Sequence, residues 1–249
     1  MTLDKYLIKN RDNENGNYNN KSNTKDNQYG FKFKIEGLYF NTFRKPLSNS
    51  LILTYSIPSF TAIRGLISNA LGLKRDDLTV QEWGIKIGVI PLNFKNKSRE
   101  LAKILKLKGT GKKYSKNYNS SPMFREFLIC PSYEIYIIGK NMKKMEIINK
   151  ALLNPQRPLY FGGSDEFCDL EVSKIVEVEA DYQKNFNCVM EGIYENCIVE
   201  RIPYKLIKKD KAGKKWDSIF KTVSIPLGDI KLDNELKCFK FDNKYILAY

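Results

Sequence analysis

Between Lys106 and Arg125 the chain reads KLKGTGKKYSKNYNSSPMFR, a mixture of residue types suited to holding a polyanion. Lys106, Lys108, Lys112, Lys113, Lys116 and Arg125 supply cations that can follow a chain of phosphates. Tyr114 and Tyr118 supply planar faces on which unstacked bases can lie. Gly109 and Gly111 let the backbone turn, or approach a sugar–phosphate closely. A solvated surface loop is the plainer alternative, since charge alone does not make a site. Either way, so polar a segment cannot offset its ordering entropy by its own burial, so ordering it calls for a partner.

The distribution of charge sharpens this reading. Residues 95–125 hold ten Lys/Arg against one acid, Glu100, and residues 205–215 hold six Lys against one acid, Asp210. These two segments account for the whole net charge of +14, so the rest of the chain sums to zero. A general solubility bias would spread the excess instead, and the charge points towards polyanionic partners. The second patch, Lys205–Lys215, stays open between a contact to nucleic acid or to a protein neighbour, and a charged hairpin tip.

Other chemistries find little support. The five cysteines are scattered with no Cys-x-x-Cys pair, and there is no histidine, so no metal-ligand spacing is present and no cofactor is expected. Reduced thiols, a start without an apolar signal region and the lack of a long apolar run lead us to expect a cytoplasmic protein with no membrane partner.

These residues need elements to position them. Phe31, Phe33 and Ile35 alternate with Lys32, Lys34 and Glu36, the period of a half-buried strand. After Pro58, Ser59 is a helix N-cap. Phe60, Ile63, Leu66, Ile67, Ala70 and Leu71 keep helical spacing, and Gly72 is the stop. GIKIGVIPL is a second strand, and a short helix from Ser98 is allowed at the start of the basic segment. REFLICPSYEIYIIG is two strands, or one bent strand, around Pro131. NMKKMEIINKALLNP is a helix capped by Asn141 and stopped by Pro155, and DLEVSKIVEVEA is the fourth strand. The order predicts an α+β fold with a ferredoxin-like core. Residues 1–28 are polar and read as a disordered tail or insertion, residues 29–180 as the core domain. Residues 181–249 form a β-rich C-terminal region, with strand-like runs at CVMEGIYE, RIPYKLI, FKTVSIPL and KYILAY. About thirty residues between the second and third core strands far exceed an ordinary antiparallel connection, and long loops of this kind tend to carry function.

Three stretches carry a family resemblance. YFNTFRKP (Tyr39–Pro46) followed by YSIPSFTAIRGLISNALGL (Tyr55–Leu73) resembles the N-terminal signature of the CRISPR-associated Cas-five family, RAMP-superfamily subunits of type I Cascade complexes. REFLICPSYEIYI and NPQRPLYFGGSDEF (Asn154–Phe167) are similar to its middle strands and glycine loop. The resemblance covers Phe31 to Val178, is strongest over Tyr39–Leu73 and Arg125–Phe167, and leans towards subtype I-B. It implies a ferredoxin-like (RRM/RAMP) body that caps the 5′ handle of the CRISPR RNA in antiviral defence. The backbone and large subunits of Cascade become the protein partners, with target DNA a further contact left open. It also implies a protruding β-hairpin thumb at about residues 93–124, where the basic segment lies. Arg44 and Lys45 are then phosphate contacts or ordinary surface charge. Arg64, one turn into the first helix, is a phosphate contact or half of a structural salt bridge. Gly162 and Gly163 shape a turn or cradle an anion. Where the family carries a basic residue in that loop, this chain has Ser164 and Asp165.

In one subtype, members of the family also cut precursor RNA, using a histidine with tyrosine and lysine. Metal-independent cleavage needs a proton acceptor and donor near neutral pH, and this sequence lacks the usual one. The sequence therefore predicts a non-catalytic RNA-binding subunit, with a metal-independent endoribonuclease as the alternative.

Overall fold

The computed structural model describes residues 27–46, 51–75, 77–106, 109–110, 113–114, 119–209 and 216–249. The Asn-rich stretch up to residue 26 and the segment 210–215 therefore lie outside the described residues.

Alternation builds the central strand, β1 (Gln28–Gly37), which buries Phe31, Phe33 and Ile35 completely. It begins at Gln28, one residue inside the expected tail. β1 pairs antiparallel with β9 (Ser132–Gly139), and β9 pairs antiparallel with β4 (Lys86–Asn93). The other edge of β1 is shared. Phe33–Gly37 meet β10 (Cys168–Val172), and Gln28–Gly30 meet β11 (Val176–Phe186). One strand was expected across β10 and β11. The chain breaks at Ser173, whose Oγ accepts from Lys32 N while its own N–H donates to Lys32 O, a local bond that diverts the ladder.

β15 (Ile230–Phe241) and β16 (Lys244–Ile246) extend the sheet to the order β16–β15–β11–β1–β9–β4. The boundary expected at residue 180 thus falls inside β11, which joins the C-terminal strands to the core. β15 was not foreseen, because Asp233, Asn234 and Glu235 interrupt its apolar alternation.

Both faces of the sheet are covered. Tyr133, Ile135 and Ile137 of β9 join Phe31, Phe33 and Ile35 in a core with two helices. Tyr136 and Ile138 point the other way, into a core with Phe239, Phe241 and Leu247. That is why β9 reads as a near-continuous apolar run. The helices are α1 (Phe60–Ala70) and α3 (Met142–Leu153), capped by Ser59 and Asn141, whose side chains accept from Ala62 N and Lys144 N. A single turn, α2 (Thr79–Glu82), lies between them in sequence. Among the described residues no helix is long and apolar enough to cross a membrane.

β5 (Lys97–Lys106) runs antiparallel to β8 (Asn119–Ile129), in register from Lys97↔Leu128 to Lys106↔Asn119. Between them the short strands β6 (Gly109–Thr110) and β7 (Lys113–Tyr114) pair with each other. The short helix allowed at Ser98 is therefore corrected to a strand, stabilised by a partner strand in which Ser98 faces Phe127, a pairing that local spacing cannot reveal. At its base β8 takes β2 (Phe40–Asn41) antiparallel and β3 (Leu51–Ile52) parallel. A further sheet, β12 (Met190–Glu191), β14 (Trp216–Pro226) and β13 (Cys197–Lys208), packs β13 against α1.

Candidate nucleic-acid interface

The glycine loop is built around a carboxylate. Glu166, 3 % exposed, accepts from Thr42 N (2.8 Å) and Gly163 N (2.7 Å) through Oε2, and from Arg125 Nη2 (2.6 Å) through Oε1. Gly162 has φ +123°, and a Cβ there would collide with Glu166 Oε2 and crowd Thr42 O at 3.1 Å. Only glycine lets the loop close on that side chain. The donors that might have cradled an outside anion serve an internal one, and this loop acts as a latch. Its acid stands at the end of the FGGSDEF stretch, a signal the sequence reading passed over.

Beside the latch lies a hollow of about 490 Å³, lined by Thr42, Arg44, Ser59, Ala102, Arg125 and Gly163 among others. Four elements meet there: the segment after β2, the N-terminus of α1, the base of the β5–β8 hairpin, and the glycine loop. The segment after β2 is held as a short ladder, with Tyr55 N donating to Phe43 O (2.9 Å) and Lys45 N to Leu53 O (2.8 Å). Ser59 both caps α1 and lines the hollow. Ala62 and Gly162 also line a second hollow, of about 370 Å³, on the far side of the loop, so the two adjoin.

The expected site residues divide by surroundings. Arg44 is exposed, lines the larger hollow, and has no carboxylate partner among the described residues. Lys45 pairs with the buried Glu200 (3.0 Å) and sits 5.0 Å over the Tyr55 ring. Glu200 is itself fixed by Ser56 N and Oγ. Arg125 is clamped at the hairpin base by Glu166, by Thr42 Oγ1 (3.4 Å) and by the Phe40 ring (5.0 Å). Arg64 is 6 % exposed, and instead of an acid it meets Tyr204, donating from Nη1 to its carbonyl (2.5 Å) under a guanidinium that lies 5.2 Å from its ring. Burial pushes its pKa down from the ordinary value. Lys106, Lys113 and Tyr114 belong to the strands of the hairpin. Lys108, Lys112, Lys116 and Tyr118 lie outside the described residues, as does most of the second basic patch. Of its described lysines, Lys205 rests on the Tyr204 ring and Lys208 on Trp216, while Lys209 pairs with Asp217 (2.8 Å).

The Tyr55 phenol is pushed up by burial and then by the Glu200 carboxylate, away from neutral pH. Among the described residues no three His, Cys, Asp or Glu side chains come together as a metal site would require.

Comparison with known proteins places the chain. The family profile described as CRISPR-associated protein (Cas_Cas5) matches residues 30–209, well over half of the 249 residues. The chain belongs to the CRISPR-associated Cas5 family. No curated protein sequence matches it. Among solved structures it is similar to a chain of a CRISPR RNA-guided surveillance complex, with TM-score 0.56 and 14% identity, over 82% of this chain and 90% of that one. It is also similar to a CRISPR protein from Archaeoglobus fulgidus, with TM-score 0.49 and 11% identity over 88% and 98% of the two chains. At such identity the likeness to the surveillance-complex chain speaks for the fold alone.

Proposed function

We propose that this protein is a non-catalytic RNA-binding subunit of a type I CRISPR Cascade complex, which caps the 5′ handle of the CRISPR RNA. In this reading it also helps to anchor the large and backbone subunits. The observation that carries it is the meeting of a basic hairpin with an open groove at its base: β5 and β8 rise from the hollow that the exposed Arg44 borders, in a chain of the Cas5 family. The order β10–β1–β9–β4, with helices after the first and third of these strands along the chain, supports a ferredoxin-like body. The hairpin then corresponds to its thumb. A single-stranded RNA end needs cations along its phosphates and planar groups for its bases, and the Lys106–Arg125 segment is rich in both. The surveillance complex among the structural neighbours agrees with a place in an RNA-guided assembly. A chain without histidine, whose groove tyrosine is held in its neutral form, suits holding RNA rather than cutting it.

The test is purification of the protein with its neighbouring subunits, followed by sequencing of the bound RNA. We expect RNA with a defined, repeat-derived 5′ end, and we expect repeat RNA incubated with the isolated protein to remain intact with or without divalent metal. Recovery of heterogeneous RNA ends, or site-specific cleavage that survives nuclease-removal controls, would overturn the reading.

A further inference from the structure

The C-terminal sheet leaves one edge of β14 open. β12 covers that edge at Val223 and Ser224, and Gly192 N reaches Thr222 O (3.0 Å). From Trp216 to Lys221 no further strand lies on that side among the described residues. Thr222 O is turned outward, and Ser218 N, four residues back, donates to the side chain of its own neighbour, Asp217 Oδ1 (2.8 Å). The alternation of an antiparallel ladder puts the N–H and C=O of Phe220 on the same outer side. Such a row is a template for another strand, and edges are ordinarily guarded by a bulge or by an unpaired lysine. Neither guard stands on this stretch. The bulge, between Pro203 and Lys205, belongs to β13, and Lys221 is drawn back to Glu191 of β12.

Two features say what the edge takes. On the core-facing side of β14, Val223 and Ile225 are fully buried, whereas Ile219, at the open end, is 46% exposed and stands diagonal to the exposed Ile207 of β13. An added strand gains apolar cover there. The second feature is charge. Lys205 and Lys208 meet the rings of Tyr204 and Trp216 rather than carboxylates, and Arg201 meets that of Phe220. Asp217 is already neutralised by Lys209. We propose that the open edge of β14 binds an extended acidic segment of a neighbouring protein by strand addition. A second copy pairing edge to edge would bring like charges together. Nucleic acid has no alternating N–H and C=O groups with which to continue the ladder. The inference goes beyond the capping of RNA, since it rests on backbone groups of the C-terminal sheet and not on the groove.

The probe is a short peptide, blocked at both ends, that alternates glutamate with valine. Its controls are the lysine–valine counterpart, an analogue methylated at every backbone nitrogen, and single-stranded RNA. Binding is read from the hydrogen exchange of individual amides in the NMR spectrum of the full chain. With the acidic peptide at about ten times its Kd, we expect the Phe220 and Ser218 amides to exchange roughly tenfold more slowly. The effect should weaken as salt rises, and the methylated and lysine peptides should give none. Ser218→Pro removes an outward N–H at a kind of position where an edge strand accepts proline, and it should abolish binding. The methylated peptide keeps the test decisive even if that variant fails to fold, because the protein is then wild type. Unchanged exchange of the two amides with the acidic peptide, or equal protection by the lysine peptide or by RNA, would overturn the proposal. Protection that rises with protein concentration alone would assign the edge to a second copy and overturn it as well.

Discussion

Glu166 holds three donors from three parts of the chain: Thr42 after β2, Gly163 in its own loop, and Arg125 at the hairpin base. Its carboxylate sets the distance between the hairpin and the body, and so the width of the groove between them. Removing it leaves a largely buried Arg125 with the distant Glu100 (3.8 Å) as its one carboxylate partner among the described residues, beside Thr42 Oγ1 and the Phe40 ring. We expect Glu166→Ala to cost about 3 kcal/mol, the low end for breaking a buried pair, because the Arg125 side chain is still 20% exposed. Gly162→Ala should also destabilise the protein, by collision with the same carboxylate at a positive φ. Chemical denaturation checks both, and wild-type stability in either variant would mean that the loop is not a latch.

Among the elements, α1 links stability to the site, since its N-cap Ser59 lines the groove. Ser59→Ala should lose about 1 kcal/mol by orphaning Ala62 N, whereas Ser59→Asp keeps the cap and should keep the stability. The aspartate would nonetheless weaken RNA binding by placing a negative charge in the groove. Thermal melts alongside RNA titrations separate the two effects, and equal RNA binding by wild type and Ser59→Asp would remove α1 from the interface. How far such elements are legible in the sequence follows from the range of the interactions that make them. Both capped helices and β1, β4 and β9 could be read because caps and apolar periods are local signals. The strand at Ser98 and the charged strand β15 could not, since each is fixed by a distant partner rather than by its own pattern. At the site, the basic segment and the glycine pair were visible as composition. The Glu166 latch, the Lys45–Glu200 pair and the burial of Arg64 depend on residues 41 to 155 positions apart. No spacing rule reaches that far.

For the molecule as a whole, the net charge of +14 sits in two segments, and the larger one forms a hairpin standing beside an open groove that Arg44 borders. The body is closed by two cores on opposite faces of one sheet. The Lys106–Arg125 segment has no comparable apolar supply, and in the proposed function RNA supplies what orders it. The most direct measurement is the salt dependence of binding to single-stranded repeat RNA, comparing wild type with a variant in which Lys108, Lys112, Lys113 and Lys116 are replaced by alanine. If the hairpin follows the phosphates, the variant binds more weakly across RNA sequences, and its log–log salt slope is flatter by ~0.7 for each lost contact. Affinity and slope identical to wild type would contradict the account and leave the segment a solvated loop.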